Sequence, residues 1–180
     1  PAEVDYFVGD AQPKLVICDP KSQEGLQSIC ENHGAQLETL DAFGGGSFAE
    51  RSVKLPETFP TVERSIDDLA AFLYTSGTTG RSKGAMLTQG NLLSNAEALV
   101  QTWRFTSSDV LFHALPIFHT HGLFVASNVT FLAGSSMIFL SSFKAQQAIE
   151  HLPKATTMMG VPTFYTRLLD EPRLNRELVQ

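Results

Sequence analysis

Cysteine is scarce in this chain: Cys18 and Cys30 are the whole complement among 180 residues. Two thiols cannot staple a disulfide scaffold, and with no secretory signal visible both are expected to be reduced and buried. Positive charge is short as well. Thirteen Lys and Arg stand against 19 Asp and Glu, for a net charge of −6 and a pI near 5.3. That balance excludes a general nucleic-acid or membrane-surface binder, and any anion site must be built locally against a repelling global field. An unbroken apolar run is missing too. The longest, at 123–140, carries Ser127, Asn128, Thr130 and a central Gly134, so it predicts a buried helix, a glycine turn and a buried strand rather than a membrane span. A cytoplasmic protein is the expectation. The chain opens on Pro1 rather than Met, as a trimmed or excised piece would.

What is present is an apolar fraction of 43% with mean hydropathy near zero, which suits one globular domain or one lobe of a larger one. PKLVICDP (13–20) is a short apolar run closed by Asp-Pro and predicts an interior strand. SQEGLQSICENHG (22–34) predicts a helix with Gly34 at its C-cap, and AQLETLD returns as a strand. Strand, helix and strand make residues 1–42 a parallel βαβ unit. Residues 43–67 read as an irregular connection, with GGGS at 44–47 taken as linker rather than phosphate loop.

From 68 the chain alternates again. DLAAFLYTS predicts a buried strand and AMLT (85–88) a second one. Thr88 is placed to cap a helix whose core stripe is Leu92, Leu93, Ala96, Leu99, Val100 and Trp103. Strands at VLFHALP, SMIFLSS and ATTMMGVP then alternate with helices at HGLFVASNVTFLAG, AQQAIEHL and PTFYTRLLDEP, the last starting on Pro162. The expected fold is α/β: an open, mostly parallel sheet flanked by helices.

The stretch YTSGTTGRSKG (74–84) is a poor core element. Its glycines let backbone N–H groups converge, its hydroxyls add donors, and Lys83 adds a point charge, which suits a polyphosphate. An exposed turn whose Thr and Ser side chains bond their own backbone is the other reading. Two familiar glycine patterns fail. A Walker A loop needs glycine directly before its lysine and a helix after it, whereas here Ser82 precedes Lys83, Gly84 follows and a strand comes next. The spacing of Gly77, Gly80 and Gly84 does not fit G-x-G-x-x-G.

TSGTTGRSKG (75–84) resembles the phosphate loop of the acyl-adenylate-forming superfamily, the AMP-binding acyl-CoA synthetases, with Ser82 where that pattern has proline. LPIFHTHG (115–122) is similar to the family's aromatic-His segment, and MGVPTFYTRLL (159–169) to the strand-to-helix segment on the acyl-pocket wall. AEVDYFVGDAQPKLVICDP (2–20) extends the likeness to the whole chain, which looks most like the malonyl-CoA synthetase branch.

The resemblance implies the large N-terminal AMP-binding domain of an acid–thiol ligase, of which this chain is expected to be a fragment, inactive alone. The parent would form an acyl-AMP from ATP and a small carboxylate such as malonate or methylmalonate, then a coenzyme A thioester. Another acyl-CoA synthetase, for a short- or medium-chain acid, and a non-catalytic nucleotide-binding module stay open. Thr75, Ser76, Gly77, Thr78, Thr79 and Gly80 would wrap the β- and γ-phosphates, and Lys83 would ease the departure of pyrophosphate. Arg81 is expected to be a solvated loop cation. His119 would meet the substrate carboxylate near the α-phosphate. Arg167 is either a surface arginine or a fork for the distal carboxylate of a diacid. His113 is expected to be structural, and the role of His121 is open. Three clustered histidines also admit a zinc site, but no Cys or acidic ligand accompanies them. The family's magnesium-holding glutamate, its ribose-binding aspartate and its C-terminal domain are absent from these 180 residues. No nucleic acid and no membrane span are expected, and the oligomeric state is not legible.

Overall fold

The computed structural model describes residues 2–75 and 82–178. They form two compact units, Pro1–Glu63 and Arg64–Gln180, so the division falls inside the connection at 43–67. The fold is α/β in both.

In the first unit, α1 (Ala2–Ala11) precedes β1 (Leu15–Cys18), α2 (Gln23–Asn32) and β2 (Gln36–Thr39). β1 and β2 pair in parallel, from Leu15↔Gln36 to Cys18↔Thr39, with α2 as the crossover. Gly34 takes φ +68 just beyond α2, a left-handed turn that releases the chain into β2. Cys30 is buried, and both cysteines are free thiols. Two elements lie where the sequence predicts none. One is α1, whose Val4, Phe7 and Val8 follow helical spacing over only ten residues. The other is α3 (Ser47–Ser52), which begins directly on the glycine triplet.

The triplet is structural. Gly46 sits at φ +120 with its Cα so close to the Thr39 carbonyl that a Cβ would overlap it. This turn brings Ser47 and Arg51 onto the nearly buried Glu38, at 2.5 and 3.0 Å from its carboxylate oxygens. The Ser47 hydroxyl, followed by the Arg51 guanidinium, holds that carboxyl below its ordinary range.

The second unit opens with an antiparallel hairpin of β3 (Leu69–Thr75) and β4 (Lys83–Thr88), paired from Leu69↔Thr88 to Thr75↔Lys83 with a register shift between Leu69 and Ala71. Next comes α4 (Gln89–Trp103). Thr88 accepts from the Asn91 backbone N–H at 3.1 Å, and the Asn91 side chain accepts from the Thr88 N–H at 3.0 Å, closing a capping box. Of the expected stripe, Ala96 is buried and Leu92, Leu99 and Val100 are half-buried, while Leu93 and Trp103 stay exposed.

A three-stranded parallel sheet, ordered β6-β5-β7, is the centre of this unit. Its strands are β5 (Val110–His113), β6 (Ser136–Phe139) and β7 (Thr157–Met159). β5 is the middle strand and shows the two-residue alternation of a strand buried on both faces. Leu111 packs with Leu115, Ala126, Val129 and Met159 on one face. Phe112 packs with Phe143, Ala148, Ile149 and Leu168 on the other, where Phe143 stacks on Phe164 at a centroid distance of 4.0 Å. The crossover from β5 to β6 runs through α5 (Asn128–Ala133), and that from β6 to β7 through α6 (Ala145–His151). After β7, α7 (Pro162–Leu169) starts on Pro162, with Val161 as N-cap. The helix expected at 121–133 begins instead as a π-helix over His121–Ser127.

The Thr88 cap joins β4 to α4, beside the Gln89 and Gly90 N–H groups that donate to the Asp68 and Ile66 carbonyls. Thr88→Ala is expected to destabilise the protein by about 1 kcal/mol, read as a lower urea midpoint at unchanged slope.

Candidate functional site

The glycine-rich stretch is closed at its base by the last pair of the β3–β4 ladder, Thr75 and Lys83, with the Thr75 hydroxyl 3.4 Å from the Lys83 carbonyl oxygen. Both residues are exposed. A strand rather than a helix follows Lys83, which separates this loop from a Walker A motif. Ser76, Gly77, Thr78, Thr79, Gly80 and Arg81 lie outside the described residues. Gly84 pairs with Tyr74 across the ladder, where a Cβ would press to 3.2 Å from the tyrosine ring.

His119 belongs to a second feature. β5 ends at His113, and the chain turns at Leu115–Pro116 and folds back over the strand end. Gly122 is the residue on which this return depends, because a Cβ there would overlap the Pro116 carbonyl oxygen. Between these points the loop is pinned by the His119 N–H to the Pro116 carbonyl at 3.3 Å. The Leu123 N–H donates to the His119 carbonyl at 3.0 Å. The Phe118 ring lies 4.7 Å from the His119 ring.

Leu115, Pro116, His119, His121, Gly122, Val161 and Phe164 line a cavity of about 370 Å³. Its walls are apolar apart from the two imidazoles. His119 is largely exposed and His121 half-buried. His121 also borders a neighbouring cavity of about 380 Å³, together with Trp103, Phe105, Thr157, Met158 and Tyr165. It therefore stands between two hollows, a position the sequence does not reveal. From the 159–169 segment, the exposed Val161 and the half-buried Phe164 contribute to the cavity wall. Arg167 is exposed on α7 and is not among the residues lining either cavity.

His113 is fully buried. Its Nε2–H donates to the Gly122 carbonyl at 3.0 Å, and its ring meets Phe139 edge-on at 5.0 Å. Burial drives its pKa below 6.5, with the nearby His121 charge adding in the same direction. The ring is thus a neutral structural element, as its place in an apolar strand predicts. Among the described residues no group of three His, Cys, Asp or Glu could hold a metal ion, and no helix is long and apolar enough to cross a membrane.

Comparison with known proteins places the chain as a whole in one class. The family model of the AMP-binding enzyme matches residues 1–179. The chain belongs to the AMP-binding enzyme family. Its relatives include the mitochondrial malonate–CoA ligase ACSF3 of Mus musculus, 34% identical over 175 residues, which cover 94% of this chain and 29% of that protein. Apo MatB from Rhodopseudomonas palustris superposes with a TM-score of 0.94 at 56% identity, covering 99% of this chain and 35% of that one. A malonyl-CoA ligase in a ternary product complex with methylmalonyl-CoA and AMP is 30% identical, with a TM-score of 0.73 over 95% of this chain and 35% of that one. The chain spans about a third of the length of these relatives.

The depressed His113 pKa fixes the sign of a pH effect. The unfolded chain takes up this proton as pH falls through 6.5 while the folded chain resists it, so stability is full above 6.5 and falls below it. His113→Gln is expected to remove that part of the acid loss, checked by urea midpoints of both proteins above and below pH 6.5.

Proposed function

We propose that residues 1–180 are a part of the large N-terminal domain of an ATP-dependent acyl-CoA synthetase acting on malonate or methylmalonate. One carboxylate oxygen attacks the α-phosphorus of ATP, the bond to the β-phosphate oxygen breaks and pyrophosphate leaves. The thiol of coenzyme A then attacks the acyl carbon of the acyl-AMP, losing its proton, and AMP leaves. A carboxylate is a poor acyl donor because oxide would have to depart, and adenylation supplies a better leaving group. Catalysis of such a step consists of alignment and of neutralising charge on phosphate oxygens.

In this reading Thr75 and the backbone of Ser76 to Gly80 cradle the outer phosphates, and Lys83 meets the charge that grows on departing pyrophosphate. His119 donates to the attacking carboxylate and holds it in line. Magnesium would neutralise phosphate charge, through ligands outside these residues. The observation that carries the reading is the otherwise apolar cavity whose polar groups are two imidazoles, His119 and His121. A carboxylate entering it meets the only side-chain donors among the described lining residues there, and low polarity strengthens each of those hydrogen bonds. The free thiols of Cys18 and Cys30 suit a reducing cytoplasm.

For the second carboxylate of a diacid, Arg167 offers a bidentate fork at the far end of α7. Its exposure outside the cavity favours a second reading, a synthetase for a short monocarboxylic acid. Substrate profiling of the full-length protein separates the two. Arg167→Ala is expected to lower kcat/KM for malonate by about tenfold or more, the weight of a charge-assisted hydrogen bond, while acetate use changes little. Equal losses on both acids would overturn Arg167 as the fork for the second carboxylate. His119→Ala is expected to lower acyl-AMP formation by about a hundredfold, measured as carboxylate-dependent ATP–pyrophosphate exchange.

A further inference from the structure

We infer that His113 and Ser127 together are positioning residues, which hold the Gly122 carbonyl and thereby set where His119 and His121 stand in the cavity. Two buried side-chain donors converge on one backbone oxygen. His113 Nε2 and Ser127 Oγ each lie 3.0 Å from the Gly122 carbonyl oxygen, and 3.4 Å from each other. A carbonyl only accepts, so Nε2 carries the proton. Nδ1 is then an acceptor without a partner among the described residues. Leaving a buried nitrogen unpaired is a cost that a simple core residue at 113 would not incur.

The place of this carbonyl gives the arrangement its consequence. Gly122 follows His121 directly and comes three residues after His119. It lies in the first turn of the π-helix His121–Ser127, and Ser127 is the last residue of that helix. The two donors therefore tie the helix at its start to the end of β5 and to its own final residue. A π-turn holds one residue more than the α-turn into which it can relax, and such insertions occur at functional sites. Relaxation would slide the preceding segment by one residue, about 1.5 Å of rise and about 100° of rotation. His119 and His121 would move with it. Phe139 packs on the edge of the His113 ring and fixes its plane, so the donor direction is set by β6 as well.

The kinetic part of the test rests on the proposed synthetase reading, and the spectroscopic part does not. His113→Phe keeps the ring volume and removes the donor, His113→Gln keeps a donor, and Ser127→Ala removes the second donor with little change of packing. All three are made in the full-length protein. In folded His113→Phe and in Ser127→Ala, the imidazole NMR resonances of His119 and His121 are expected to shift from wild type. In His113→Gln they are expected to return toward it. The carboxylate KM is expected to rise by about ten- to a hundredfold in the first two, the scale of an ångström misplacement, with the ATP KM unchanged and His113→Gln restoring it. Resonances of both histidines that stay at their wild-type positions in Ser127→Ala and in folded His113→Phe overturn the inference. If wild type turns over no carboxylate, the synthetase reading fails, and the resonances still decide the positioning role. Should His113→Phe fail to fold, Ser127→Ala decides alone.

Discussion

The close approach of Gly122 to the Pro116 carbonyl is the constraint on which the second unit depends. No residue with a Cβ fits there without moving the backbone, so a return this close over the end of β5 requires glycine at this point. That return converts a strand end into a cavity wall. It also places a backbone carbonyl within reach of His113, which could not otherwise be a polar residue at zero exposure on a central strand. Packing, polarity and the site are therefore one arrangement. The strand alternation that sends Leu111 to one face and Phe112 to the other sends His113 to the first, beneath the loop.

Much of this was legible in sequence, and the failures have physical causes. Long or sharply punctuated elements were readable: Asp-Pro and Gly34 bracket β1 and α2, Thr88 caps α4, and Pro162 opens α7. α1 is hidden in the sequence because its apolar residues span barely two turns and blend into the run that becomes β1. α3 is hidden because GGGS reads as a linker. Only the structure reveals that Gly46 is required by the Thr39 carbonyl rather than tolerated by solvent. The π-helix has an apolar pattern compatible with an ordinary helix, and nothing local distinguishes a turn with one extra residue.

The candidate site was legible in a different way. The motif at 75–84 pointed to a phosphate loop through residue types and order, and the hairpin beneath it explains why a strand follows the lysine. His119 was identified through its segment, and the structure puts it on a cavity wall. The contribution of His121 to two cavities depends on how far the loop folds back, a tertiary fact that no spacing rule encodes. The brace at His113 had a weak signal, a histidine inside an apolar strand. That signal could not say which carbonyl would receive the proton.

The two candidates for recognising a second carboxylate differ in mechanism as well as place. On α7, Phe164 and Leu168 define the inward direction, and Arg167 falls roughly 80° away from it at about 100° per residue. A guanidinium there keeps its hydration and can reach a bound diacid only by curling over the helix edge, which costs side-chain entropy. His121 is already on the wall, half-buried, and needs no such movement. Its imidazole gives one hydrogen bond where an arginine fork gives two, so it discriminates less strongly between a carboxylate and a neutral group. A site using His121 would accept small acids broadly, whereas a site that recruits Arg167 would trade entropy for selectivity toward a second negative charge. The choice between them is therefore set by the reach of Arg167, since His121 already lines the cavity and Arg167 does not.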